Sequence, residues 1–389
     1  MIYNSKLWCS SIFVAVLLIS PVSAKSQSFD DGLAAYKRGD YRSALENFEP
    51  LAEKEHADAQ YNLAIMYFYG EGVPKNHFEA IRWLRRATEL GHIASQYNLA
   101  LMYYNGEGVP KNYSEAAKLH RKAAEQGYPS AQYSLGFMYD NGEGVLLNYP
   151  EAVMWYRKAA EQGHPSAQYS LALMYDNGKS VTQNYSQATA WYRKAAEQGY
   201  ADAQYSLGVM YGNGEGVPRN NSEALIWYSK AAEQGHASAQ YNLALMYGSG
   251  DGVVQNYTQA ATLYRKAAEQ GQVNSQYNLA FMYNEGMGVP QNYTQAATWY
   301  RKAAEQGNAD AQINLALMYD RGDGVSRNPV MSYMLSILAA AQGKMNAIDF
   351  RNIILKKLTP EQIIEAQRMA IEWNLGTRLP VIRDFKTWP

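Results

Sequence analysis

The sequence predicts an all-α fold built as a solenoid of tandem helix pairs, and three observations carry that expectation. The string Gln-Tyr-Asn-Leu-Ala begins at Gln60 and Gln96, returns as Ser or Gly variants at Gln132, Gln168 and Gln204, and recurs at Gln240, Gln276 and, with Ile313 for Tyr, Gln312. Every interval is 36 residues without an insertion, the signature of a repeat array. Each copy then holds two stretches of helical apolar spacing, bounded by Gly and Asn at fixed offsets. A lone helix pair of this size cannot bury both apolar faces, whereas stacked copies can.

Composition agrees. A chain of 389 residues with 47% hydrophobic residues can bury a large core, which excludes wholesale disorder. Lys+Arg is 35 against Asp+Glu 36, so no like-charge field favours nucleic acid or acidic lipid. Tyrosine supplies 33 residues of the aromatic set against Phe 9 and Trp 8, as expected if one tyrosine-bearing segment was copied many times.

The first residues read as a targeting segment. Lys6 supplies a positive charge, Ile12 to Ile19 is an unbroken apolar run, and Val22-Ser23-Ala24 after Pro21 fits a small-x-small cleavage pattern. The run rises only about 12 Å as a helix, short of the roughly 30 Å hydrocarbon core. Cleavage between Ala24 and Lys25 is therefore expected, with no stable membrane span afterwards. It would remove Cys9, the only cysteine, so thiol catalysis, disulfides and thiolate metal sites are not expected in the mature chain.

Helix A of the first copy is expected from about Ala59 to Tyr67, with Ala59, Leu63, Met66 and Tyr67 on one face. Small Ala64, replaced by Gly136 and Gly208 in two copies, would let a neighbour approach. Met-Tyr then ends the helix and Gly stops it, from Gly70 to Gly322. A second Gly follows two residues later except in the fourth copy, which has Ser180. Helix B starts at an Asn in every copy, from Asn76 to Asn328, a favoured N-cap. Asn112-Tyr-Ser-Glu115 has capping-box spacing, and Pro329 stands where an N1 proline belongs. Trp155-Tyr156 and Trp191-Tyr192 fill bulky positions, and a Gly from Gly91 to Gly343 closes each unit.

The unit from Ser166-Ala-Gln-Tyr-Ser-Leu-Ala-Leu-Met-Tyr175 through Gly199 resembles the Sel1-like repeat, a relative of the tetratricopeptide repeat with a longer Gly-rich loop between its helices. The resemblance covers residues 57–343 and implies a right-handed α/α superhelical solenoid. Residues 25–56 then read as a linker and a leading tetratricopeptide-like pair, with a turn at Gly39-Asp40-Tyr41 and Pro50 expected to kink or end the second helix early. Residues 344–389 read as capping helices and a tail. Thr359-Pro360-Glu361-Gln362 opens a helix whose Ile363, Ala366, Ala370 and Trp373 share a face.

Candidate chemistry is sparse. His56, His92, His164 and His236 share one repeat position, which gives their recurrence a structural cause, and no metal or cofactor is expected. The Gly-Glu-Gly-Val loops lack the Lys-Ser/Thr of a P-loop and follow a helix. Their acidic row, Glu71, Glu107, Glu143, Glu215, Asp251 and Asp323, reads as a solvated loop edge. Asn-x-Ser/Thr at Asn112, Asn184, Asn220, Asn256 and Asn292 reads as capping rather than glycosylation.

The remaining candidate lies on helix A. With Ala59 at 0°, Asn62 falls at about 300° and Ile65 at about 240°, away from the Ala59 face. In the related tetratricopeptide fold, helix A lines the concave groove and Asn side chains there hold peptide backbones. The resemblance places that role on Asn62, Asn98, Ser134, Ser170, Ser206, Asn242, Asn278 and Asn314, where Asn offers both a donor and an acceptor. The competing reading is a row that bonds adjacent repeats, with tyrosines packed between them.

The resemblance implies an exported bacterial scaffold without enzymatic activity that binds a protein or peptide, with complex assembly and host interaction among the family's roles. The alternatives are an enzyme acting on the cell wall or β-lactams, as described for cysteine-rich relatives, and an endoplasmic-reticulum adaptor. The first lacks the paired cysteines and any supported Ser-x-x-Lys, and a nitrocefin assay discriminates it. The second lacks a later membrane segment and a retention signal.

Overall fold

The computed structural model describes residues 27–380; the targeting segment and the proposed Ala24/Lys25 junction lie outside them. Among the described residues there are twenty helices and no strand. The chain forms two compact units that divide after Gln198. The first holds α1 (Gln27–Lys37), α2 (Tyr41–Glu53), α3 (Ala57–Tyr69), α4 (His77–Glu89), α5 (Ile93–Asn105), α6 (Tyr113–Glu125), α7 (Pro129–Asn141), α8 (Tyr149–Glu161), α9 (Pro165–Asn177) and α10 (Tyr185–Glu197). The second holds α11 (Ala201–Asn213), α12 (Asn221–Glu233), α13 (Ala237–Ser249), α14 (Tyr257–Glu269), α15 (Val273–Glu285), α16 (Tyr293–Glu305), α17 (Ala309–Arg321), α18 (Pro329–Ala341), α19 (Met345–Leu355) and α20 (Pro360–Glu372). Within each unit successive helices pack on one another, as in a solenoid, up to α19; α20 packs chiefly on α18.

Helix A runs two residues further at each end than its apolar spacing implied, Ala57–Tyr69 in the first copy. Gly70 ends it in a left-handed conformation (φ 80°) and donates its N–H to the Met66 carbonyl. Ala59, Leu63 and Met66 are buried, as the periodicity required. The small position works as expected: a Cβ at Gly136 would lie 2.8 Å from the Tyr156 ring. All helix-B asparagines cap their helices, Asn112 accepting from the Glu115 N–H at 3.0 Å. Glu115 does not complete a capping box there, because its carboxylate turns to Lys118 Nζ at 3.3 Å. The reciprocal box forms at Thr359 and Gln362.

Pro50 does not end α2, which continues to Glu53. The proline sits in the last turn, where only one amide is lost, and burial of Phe48 and Ala52 holds that turn in place. At the other end, Ala366 and Met369 of α20 are buried, and Ile363, Ala370 and Trp373 pack against the same core. The cap is not uniformly polar: Ile353, Ile364 and Ile371 remain exposed.

The Gly-x-Gly loops dock on the preceding helix B. A Cβ at Gly288 would sit 2.2 Å from the Tyr257 carbonyl carbon, and one at Gly324 2.2 Å from that of Tyr293. Ser180 keeps the left-handed backbone (φ 59°) without being glycine. The same loop carries a charge exchange. Where Tyr104 donates to Glu143 in one copy, the next pairs Lys179 with Asp140 at 2.6 Å. Ser180→Gly should therefore stabilise the chain by about 1 kcal/mol, the cost of a left-handed non-glycine residue; equilibrium urea denaturation reads it.

Candidate functional site

Two rows of polar side chains on helix A tie the copies together, one of Gln amides and one of Asn amides and Ser hydroxyls. The first is buried. Gln132 of α7 donates Nε2 to the Ala124 carbonyl of α6 at 3.1 Å, and its Oε1 accepts from Gln162 Nε2, just beyond α8, at 2.7 Å. Gln168 in the first unit and Gln240, Gln276 and Gln312 in the second repeat the arrangement. In the first copy Leu90 stands where the later copies place the donating Gln, and the buried Gln60 Oε1 has no partner. Leu90→Gln should restore that bond and raise stability by about 1–2 kcal/mol, since a buried unpaired acceptor carries a desolvation penalty. A melting curve unchanged or lowered would contradict it.

The second row is the Asn/Ser ladder, and it does not stand in solvent. Asn98 is 1% exposed, and Asn62, Ser134, Ser170, Ser206, Asn242, Asn278 and Asn314 are half-buried. In the first unit, Asn62 Nδ2 bonds the Asp58 carbonyl of its own helix at 2.7 Å. Asn98 Nδ2 donates to the Tyr61 hydroxyl one repeat earlier at 3.3 Å, while its Oδ1 is buried without a partner. Ser134 bonds Tyr97, and Ser170 bonds Tyr156. In the second unit, Asn242 bonds Tyr228, Asn278 bonds Tyr264, and Asn314 bonds both Tyr277 and Tyr300. Burial pushes the Tyr97 and Tyr228 hydroxyls up to about 12, with the bonds from Ser134 and Asn242 opposing it. A helical wheel assigns one core face, but a helix inside a stack also has flanks covered by its neighbours. The ladder lies on such a flank.

The register three residues beyond the ladder is apolar and reaches the surface in two copies. Leu101, Phe137 and Leu173 are half-buried in the first unit, where Ile65 is fully buried. In the second, Val209 and Leu317 are half-buried, and Leu245 and Phe281 are each 41% exposed. In the second to eighth copies this apolar row lies between the ladder on one side and Asn, Ser, Glu or Arg near the helix end on the other. The sequence holds the signal for this row, because Ile65 falls far from the Ala59 face.

The remaining candidates are structural. His56, His92, His164 and His236 cap helix A through Nδ1, which accepts a backbone N–H three residues on. The acidic loop row is only partly a solvated edge, because Glu71 accepts from the hydroxyls of Tyr36 at 2.6 Å and Tyr41 at 3.2 Å. The recurring Met-Tyr tyrosine accepts from a helix-B arginine, as Tyr283 does from Arg265 Nη2 at 2.6 Å. Among the described residues no three His, Cys, Asp or Glu side chains converge as a metal cage, and no helix is long and apolar enough to cross a membrane.

Burial lowers His164 to about 4 and His120, packed against the Tyr97 ring, to about 3. Between pH 6.5 and 4 the unfolded chain therefore binds protons that the folded chain does not. Their contribution is fully present above pH 6.5 and is lost as pH falls through that window. The melting temperature should drop accordingly. His120→Tyr, the residue found at this register in five later copies, should flatten the drop.

Within each unit this geometry is that of a repeat protein in which successive helix pairs hold one another. The Sel1 repeat profile matches eight consecutive segments, 57–92, 93–128, 129–164, 165–200, 201–236, 237–272, 273–308 and 309–344. The chain belongs to the Sel1 repeat family. It is similar to a protective antigen of uropathogenic Escherichia coli with an SLR fold, at 33% identity over 88% of this chain and 90% of that one, with a TM-score of 0.52. A Sel1 repeat protein from Oxalobacter formigenes matches at 33% identity over 62% of this chain and 97% of the other, with a TM-score of 0.57. An exopolysaccharide production negative regulator from Rhizobium leguminosarum bv. viciae is 36% identical over 93 residues, 21% of this chain and 35% of the relative. The chain thus spans about a third of that relative's length.

Proposed function

We propose that the chain is an exported bacterial scaffold without catalytic activity that binds a protein or peptide partner along the helix-A face of its repeats. The observation that carries this reading is the apolar row, above all Leu245 and Phe281, half exposed at the same register on successive helices. A face that repeats every 36 residues suits an extended chain or a helix with regularly spaced apolar side chains. The ladder beside it sets the spacing of the copies and lends its remaining amide capacity to a partner backbone. Envelope or extracellular localisation rests on the targeting segment. Contact with a host is favoured by similarity to an Escherichia coli protein described as a protective antigen.

Leu245→Asp/Phe281→Asp tests the face. Both side chains are partly in water, so the melting temperature should barely move, while partners recovered from native envelope extract should be lost. An unchanged set of recovered partners would refute this face. Export is tested separately: intact-mass measurement of periplasmic or secreted material should show a chain beginning at Lys25, and a full-length mass there would overturn the proposal.

A further inference from the structure

One helix-B end differs from the others because part of the chain lies on it. Each of the first seven repeats closes with Glu, a residue that is Gln in all but the first, and Gly; the eighth has Ala341 in place of the Glu. Nothing would meet a Cβ within 4 Å at Gly91, Gly127, Gly163, Gly235 or Gly271, whereas one at Gly307 would lie 2.6 Å from Leu375 Cδ1. Glu125, Glu161, Glu233 and Glu269 are exposed, but Glu305 is half-buried.

The covering segment follows α20. It turns at Asn374–Thr377, where the Thr377 N–H donates to the Asn374 carbonyl at 3.0 Å and Gly376 takes φ 84°. The Gly376 N–H donates to the Glu305 carbonyl at 2.9 Å, and the Leu379 N–H to Glu305 Oε1 at 2.9 Å. Leu379 is 5% exposed in the core of its unit, and Trp373 Nε1 closes the turn on the Thr377 carbonyl at 3.2 Å. Glu305 is the last residue of α16, so its carbonyl has no partner within the helix and lies at the negative end of the helix dipole. The site presents two acceptors to two backbone donors, a Cβ-free surface under the turn and a burial position for one leucine. The turn at residues 374–377 followed by Leu379 matches that spacing.

We infer that the end of α16, backed by α20, is a peptide-binding site for a turn of the pattern Leu-Gly-Thr-x-Leu, held in cis by residues 374–379. The partner it fits is a second polypeptide bearing the same turn, which enters by displacing this segment. The site lies at the end of helix B, distinct from the helix-A face proposed above.

The test uses the full chain and a synthetic peptide spanning Trp373–Pro380. In the Gly376→Pro/Leu379→Asp variant, which removes one donor and the buried anchor from the resident segment, calorimetric titration should give saturable binding with a Kd below about 1 mM. Adding Glu305→Ala should weaken it at least tenfold. A second measurement needs no loosened variant. In the unaltered chain the Gly376 and Leu379 amides should be protected from hydrogen exchange, and 1 mM peptide should accelerate their exchange. Absence of saturable binding to the variant, or binding indifferent to Glu305→Ala, would overturn the inference. So would unprotected Gly376 and Leu379 amides in the unaltered chain.

Discussion

The triple variant Asn242/Asn278/Asn314→Ala should be less stable than the parent chain by about 3–6 kcal/mol. It removes bonds to Tyr228, Tyr264, Tyr277 and Tyr300, each worth about 0.5–1.5 kcal/mol net, and leaves largely buried hydroxyls without that partner. Because neighbouring repeats hold each other, the loss should spread along the second unit and appear as faster hydrogen exchange in α13, α15 and α17. Had the amides stood free in solvent, the same substitutions would leave the melting curve in place, so an unchanged curve contradicts the bridging geometry. Partner affinity of the folded fraction should fall less than it does in the Leu245→Asp/Phe281→Asp variant.

Gly288→Ala is expected to cost about 3 kcal/mol or more. The residue has φ 67°, and its Cβ would meet the Tyr257 carbonyl carbon at 2.2 Å, so backbone strain and an immovable clash add. Gly271→Ala separates the two causes. Its φ is 91° with nothing within 4 Å, and it should cost only the left-handed strain, about 1–2 kcal/mol. Equal losses in the two variants would mean that the loop does not dock on helix B as described.

Most of the fold was legible in the sequence because the repeat states it many times. Period, caps and glycine stops follow from backbone chemistry that acts within a few residues, which is why Asn76 to Asn328 and Gly70 to Gly322 fell where expected. Pro50 misled because propensity gives way to packing once Phe48 and Ala52 are buried. The candidate site was less legible. Asn98 and Asn242 are polar and off the apolar face, so a single helix judged alone puts them in water. Only the neighbouring copy's Tyr61, or helix B's Tyr228, shows why an amide is there. Leu245 and Phe281 look like core residues by type and are half exposed by position. The cis-docked turn was not visible in any local pattern, because its contacts join residues more than seventy positions apart, Leu379 and Glu305.

The most direct test of a partner-binding helix-A face is site-specific photo-crosslinking in cells. A photoreactive residue replaces Leu245 or Phe281 in turn, with exposed Thr262 on helix B as the control position. Discrete crosslinked species of one mass increment at positions 245 and 281, absent at 262, are the predicted result. Crosslinks at 262 with none at 245 or 281 would place the partner on the opposite face and contradict the account.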